Sequence, residues 1–165
     1  MPKLEVFFDY ACPYCLRGHE YLIELLPEYQ NIEVEWCPCE AHPRPESYGP
    51  HSDLLARGMY VALDHGADIM EYHKRMYHAA LTDRMDIEDL DIVTGLTHGL
   101  LNSEAFRKEL SSGAYLDRLQ ENNRLAWERY RFSAVPSYRM GELLLKCTEN
   151  IGVNKKQLEE FLNQH

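Results

Sequence analysis

Apolar residues near the start of the chain follow one period, then another, then the first again. Leu4 to Phe8 is a short apolar run with β-branched and aromatic members, the pattern of a buried strand. Leu22, Leu25, Leu26 and Tyr29 then recur at i, i+3, i+4 and i+7, the stripe of an amphipathic helix. That helix opens at Pro13, whose missing N–H costs nothing in a first turn, and it is expected to end near Pro27 to Gln30. Ile32, Val34 and Trp36 alternate with Glu33 and Glu35, which predicts a second strand. Strand, helix and strand in so short a span make a βαβ unit with parallel strands.

Residues 38–52 hold four of the eight prolines and read as a loop. From Asp53 to Arg131 the pattern is helical: four or five helices, broken at Gly66, Thr82–Asp83, Asn102 and Ser112–Gly113. Leu55, Met59, Ala62 and Leu63 form one stripe, and Leu116, Leu119, Asn123, Ala126, Trp127 and Tyr130 another. Asp86 is expected to cap a helix that buries Ile87 and Leu90. Strands return at Ser137–Met140 and Leu143–Cys147, joined across Gly141–Glu142 as a hairpin. Asn154 and Gln157 resemble a capping box ahead of a last helix with Leu158, Phe161 and Leu162 inside. The fold class is therefore α/β, in the order β-α-β, helical block, β-β-α. Residues 1–49 with 132–165 form the α/β domain, and 50–131 a helical insertion.

Composition narrows the functions. With 45% hydrophobic residues and a mean hydropathy of −0.48, the 165-residue chain has the makings of a real core. A net charge of −10 argues against duplex nucleic acid and anionic membranes as partners. Residues 1–49 carry 9 acidic and 3 basic side chains, so acidity gathers around four of the five cysteines. No apolar run is long enough to span a bilayer. The N-terminus lacks a basic segment followed by an apolar one, so the expected compartment is the cytoplasm. There, five cysteines point to redox or metal chemistry or to buried thiols rather than to a disulfide scaffold.

The cysteine spacing carries the chemistry. In Cys12-Pro13-Tyr14-Cys15 both thiols lie where a buried strand ends and a helix begins. Free N–H groups and the helix dipole favour a thiolate at that point. Cys12, at the cap, is expected to be exposed and acidified. Cys15, one turn in, is expected to be shielded and less acidic. Disulfide exchange needs that asymmetry, one attacking thiolate and one resolving thiol. Asp9 precedes the pair and can take a proton from Cys15 if partly buried, or simply serve the helix start.

Far downstream, Val135-Pro136 leads into the third strand. A βαβ unit with a Cys-Pro-X-Cys helix start, a helical insertion and a Val-Pro strand entry resembles the thioredoxin fold, in its DsbA-like branch. Asp9 and the run Trp36-Cys37-Pro38-Cys39-Glu40-Ala41-His42-Pro43 resemble the cytosolic FrnE-like members, which border on the 2-hydroxychromene-2-carboxylate isomerases. The resemblance covers essentially the whole chain. It implies a thiol–disulfide oxidoreductase with Cys12 as nucleophile and Cys15 as resolving cysteine, supported by Pro13, Tyr14, Val135 and Asp9. It implies that Pro136 is cis opposite Cys12, leaving the Val135 backbone free to pair with substrate. Partners are protein or small-molecule thiols and disulfides. No cofactor is implied, with glutathione entering only as reductant or co-substrate. Tyr14 replaces the His of strongly oxidising DsbA enzymes, and Pro-Tyr is the glutaredoxin dipeptide, so a potential of roughly −200 to −270 mV is expected rather than about −120 mV.

Cys37 and Cys39 depart from the FrnE-like pattern. Three readings stand: two buried small residues, a second redox pair relaying the disulfide, or a four-thiolate metal site with Cys12 and Cys15. Cys147 reads as a structural thiol. The eight histidines show no metal spacing, and no metal is assigned to them. His19 is read as packed or on the surface, and His42 as a loop residue able to approach the site. Two other function classes stand: the bordering glutathione-dependent isomerase or transferase, whose members commonly carry Ser at the position of Cys12, and a non-enzymatic thiolate metal-binding or redox-sensing protein.

Overall fold

The computed structural model describes residues 1–164. Two compact units divide the chain, Met1–Ala41 with Asn122–His165, and His42–Glu121.

The first unit is built on a four-stranded sheet, β1 (Lys3–Phe8), β2 (Glu33–Pro38), β3 (Ser137–Met140) and β4 (Leu143–Leu145), in the order β2-β1-β3-β4. β1 and β2 are parallel, with Phe7 opposite Cys37. β3 lies antiparallel to β1 with Val6 opposite Tyr138, and β4 is antiparallel to β3. Gly141 turns that hairpin at φ +62, a left-handed conformation that a side chain resists. The alternation of β1 sends its apolar residues to both faces. Phe8 meets the edge of Trp36, which in turn meets His19 of α1 (Pro13–Leu25). Phe7 meets the edges of Tyr130 and Phe132. Leu4, Phe7, Leu22 and Tyr138 are wholly buried, and each such side chain contributes roughly 1.5–3 kcal/mol. The last helix, α7 (Lys155–Leu162), carries the expected box: Asn154 accepts from Gln157 N, and Gln157 Oε1 accepts from Asn154 N. It packs on α1, with Lys155 paired to Glu24 at 2.6 Å.

The second unit contains α2 (Asp53–Asp64), α3 (Ile69–Tyr77), α4 (Leu90–Gly95) and α5 (Ser103–Ser111), followed by most of α6 (Leu116–Asn123). Leu55, Met59, Tyr72, Met76, Val93 and Phe106 are its buried centre. Arg57 is buried, and its guanidinium donates to Leu110 O and Ala114 O, both at 2.8 Å, tying α2 to the end of α5 and the turn after it. Asp68, Asp89 and Asn102 cap α3, α4 and α5. The cap of α4 is therefore Asp89 rather than Asp86, which accepts from Glu88 N in the turn before it. Leu63 and Leu116 belong to apolar stripes yet are 44% and 46% exposed, because each sits at the margin of its buried face.

The unit boundaries fall at 41/42 and 121/122, not at the expected 49/50 and 131/132. Hydrogen bonds explain both shifts. Arg44 and His51 bind Glu88, tying the proline loop to the helical unit. Asn122 Nδ2 donates to Pro38 O, Asn123 pairs twice with Glu40, and Trp127 Nε1 donates to Glu40 O, tying 122–127 to the end of β2.

Candidate functional site

The strand-to-helix junction is made by a tight turn. Cys12 N donates to Asp9 O at 3.0 Å, and Cys12 takes extended angles (φ −105, ψ 118) as the N-cap of α1. Pro13 occupies the first turn, and Cys15 N and Leu16 N both return to Cys12 O. Cys12 is thereby left partly exposed, while Cys15 is buried at 1% exposure. Both are thiols.

Their environments pull in opposite directions. The Cys15 thiol hydrogen-bonds the Cys12 sulfur, which does most to draw the Cys12 thiol below its ordinary value. Partial burial and the Asp9 charge oppose this, and the backbone N–H groups of Cys15 and Tyr14 add to it. Burial pushes the Cys15 thiol well above its ordinary value, and its bond to Cys12 and the Cys12 charge push the same way. Asp9 N, at 3.4 Å from Cys15 Sγ, acts slightly against that rise. The pair is thus differentiated by burial and by one shared proton.

Asp9 is 5% exposed, at the end of β1. Its Oδ1 accepts from Ala11 N and its Oδ2 from Ala41 N, both at 2.9 Å, so one carboxylate ties the motif to the segment after β2.

β3 brings the second half of the site. The Val135–Pro136 peptide is cis, and both residues are buried. The Cys12 thiol donates to Val135 O at 3.6 Å. Ser137 Oγ donates to Ala134 O at 2.8 Å and accepts from Cys147 N at 2.9 Å, locking the Val-Pro segment to the chain leaving β4. Tyr14 closes the rim: its hydroxyl donates to Asn150 O at 3.0 Å, and its ring lies where a Cβ on Gly152 would come within 3.1 Å of it. Gly152, at φ +88, allows that approach.

Cys37 and Cys39 are both buried. Cys39 N continues the parallel ladder to Phe8 O at 2.8 Å. Burial raises the Cys39 thiol well above its ordinary value, with the charges of Asp9, Cys37, Glu40 and Cys12 following in that order. Among the described residues the grouping with metal-ligand closeness is Glu5, Glu35 and Cys37, not the four thiols imagined for a metal site. Arg139 pairs with Glu5 and Lys3 with Glu35, so cations already balance those carboxylates. His42 pairs with Glu46 at 2.6 Å beside the Tyr48 ring. His19 is buried, and burial lowers it to about 4, so it is a neutral packing group near neutral pH.

Ser137, Tyr138, Gly18 and Gly152 complete the site and carry no motif. Cys147 is tied to the Val-Pro segment through its N–H bond to Ser137 Oγ. β4 ends at Leu145, and Cys147 beyond it is raised to about 11, first by burial and then by the Cys12 charge.

Residues 3–142 match the model of the DSBA-like thioredoxin domain. YwbO of Bacillus subtilis (strain 168) is 24% identical, over 95% of this chain and 96% of its own length. A probable DsbA oxidoreductase from Streptomyces coelicolor superposes with a TM-score of 0.82 at 17% identity, over 99% of this chain and 89% of that one. A 2-hydroxychromene-2-carboxylate isomerase superposes at 0.72 with 16% identity, over 98% and 93%. With the family model spanning most of its length, and with its helical unit inserted between the second and third strands of a thioredoxin sheet, the chain belongs to the DSBA-like thioredoxin domain family.

Proposed function

We propose that the chain is a thiol–disulfide oxidoreductase in which Cys12 attacks and Cys15 resolves. The observation that carries this reading is the opposed pull on two thiols one helical turn apart, Cys12 acidified and Cys15 held protonated. The Cys12 thiolate attacks one sulfur of a substrate disulfide. A Cys12–substrate bond forms, the substrate S–S bond breaks, and the departing sulfur leaves as a thiolate. Cys15 then loses its proton and attacks Cys12 Sγ. The second substrate sulfur departs as a thiol, the substrate is reduced, and Cys12 and Cys15 are oxidised to a disulfide. Run backwards, the same steps oxidise a dithiol.

The neighbours suit these steps. Once Cys12 has lost its proton, the Val135 carbonyl loses that donor and is open to a substrate backbone N–H. Pro136 offers no N–H to compete for the sulfur. Asp9 sits within electrostatic reach of both thiols, and each of its oxygens keeps one lone pair beyond its backbone bond. In this reading it takes the Cys15 proton, which then goes to the departing substrate sulfur. Glutathione is the reductant that fits a solvent-reaching Cys12.

Trapping tests the reading. The Cys15→Ser variant, mixed with oxidised glutathione, is expected to stop at a long-lived mixed disulfide, which peptide mapping places on Cys12. An adduct confined to Cys37, Cys39 or Cys147, or none at all, overturns it.

A further inference from the structure

Tyr138 is the one aromatic residue of β3, and it is wholly buried. Its hydroxyl has no hydrogen-bond partner among the described residues. A buried hydroxyl is ordinarily satisfied, so an orphan of this kind calls for a role. Its surroundings suggest one. A Cβ on Gly18 would stand 2.8 Å from the Tyr138 hydroxyl oxygen and 2.9 Å from Pro136 Cγ. The absence of a side chain there lets α1 settle onto β3 at this point. Gly18 follows Cys15 by three residues, so the two share a helix face one turn apart. The hydroxyl therefore lies beneath the turn that carries the resolving thiol. Burial first, then the charges of Cys15 and Cys147, keep it protonated far above neutral pH, so it always has a proton to donate.

We propose that the Tyr138 hydroxyl is a catalytic hydrogen-bond donor for the Cys15 thiolate. While Cys15 is a protonated thiol, donating to Cys12 and accepting from Asp9 N, the hydroxyl has no partner. When Cys15 ionises for the resolving step, its sulfur, which the resting dithiol keeps out of hydrogen-bonding position, shifts toward the hydroxyl and accepts from it. The Cys15–Cys12 bond then forms, the Cys12–substrate bond breaks, and the departing thiolate takes up a proton equivalent to the one Cys15 gave up. Tyr138 keeps its own proton throughout. A desolvated thiolate has few donors available, and this one is supplied at the moment of need rather than in the resting dithiol. The inference rests on the oxidoreductase reading above.

The test uses the full chain, reduced, mixed with an aromatic disulfide that releases a coloured thiolate. The first phase reports attack by Cys12, and the second reports attack by Cys15 on the mixed disulfide. In Tyr138→Phe the first phase is expected to be unchanged and the second about tenfold slower, the scale of one hydrogen bond to a charged atom. The pH profile of the second phase is expected to move up by about one unit, because the tenfold loss falls on the thiolate. Thermal stability should hold or rise, since an orphan polar atom has gone. A second phase and pH profile equal to the parent's overturn the proposal, and so does an effect that vanishes in a Cys147→Ala background. Should Tyr138→Phe fail to fold, 3-fluorotyrosine placed at 138 alone keeps the shape and strengthens the donor. It is expected to speed the second phase and lower its pH profile, and no change overturns the proposal. Failure of the oxidoreductase reading is seen separately, as loss of the first phase in the parent protein.

Discussion

Replacing Cys12 with Ser is expected to lower the rate of disulfide exchange about a thousandfold or more, because a hydroxyl supplies no anion at neutral pH to attack sulfur. The loss should come without unfolding. Cys12 is the N-cap of α1 and makes no side-chain cap bond, and Ser is among the residues preferred at that position. Thermal unfolding should therefore stay within a few degrees of the parent or rise. Reduction of an insulin-type disulfide by the two proteins, alongside their melting curves, separates chemistry from folding. A Cys12→Ser protein that keeps a glutathione-dependent activity on a small aromatic substrate would instead favour the isomerase alternative.

The largest effect on folding is expected at Gly58. A Cβ there would meet the Tyr72 hydroxyl at 2.5 Å and the Phe106 ring at 2.7 and 2.9 Å. Both rings are wholly buried, and Tyr72 is held by its hydrogen bond to Leu55 O at 2.7 Å. Neither can swing into solvent, so α2 must move or the rings must leave their wells. Overpacking of this kind costs typically 1–3 kcal/mol, and two rigid partners place it at the upper end. Ala gains about 1 kcal/mol over Gly in a helix interior, so the net loss for Gly58→Ala is expected to be about 2 kcal/mol. Urea denaturation checks it. A midpoint unchanged or raised contradicts the packing described for α2, α3 and α5.

How far the sequence reveals the molecule depends on how local each feature is. β1, α1 and β2 are legible because their periods differ and each acts within its own segment. The capping box of α7 is legible because Asn154 and Gln157 satisfy one another. The cap of α4 is not, because Asp86 and Asp89 offer the same chemistry and only the backbone path selects Asp89. The unit boundary depends on Asn122, Asn123 and Trp127 reaching Pro38 and Glu40, contacts between distant segments that composition cannot express. The site divides in the same way. Cys12 and Cys15 stand out by spacing at a strand-to-helix junction. Ser137, Tyr138 and Gly18 belong to the site only because β3 pairs with β1 across more than a hundred residues, and none carries a motif. Cys147 looks solitary in the chain, and its tie to the Val-Pro segment is a backbone bond to Ser137 Oγ that no spacing shows.

In the proposed function Cys12 and Cys15 act as one redox couple. Equilibrating the protein in glutathione buffers of graded potential, quenching with an alkylating agent and mapping each cysteine tests it most directly. The expected result is that Cys12 and Cys15 lose alkylation together, in one two-electron transition at roughly −200 to −270 mV. The same midpoint is expected in the Cys37→Ser/Cys39→Ser variant. A pair that stays alkylated at every potential, two cysteines that titrate apart, or a midpoint above about −150 mV would contradict the account.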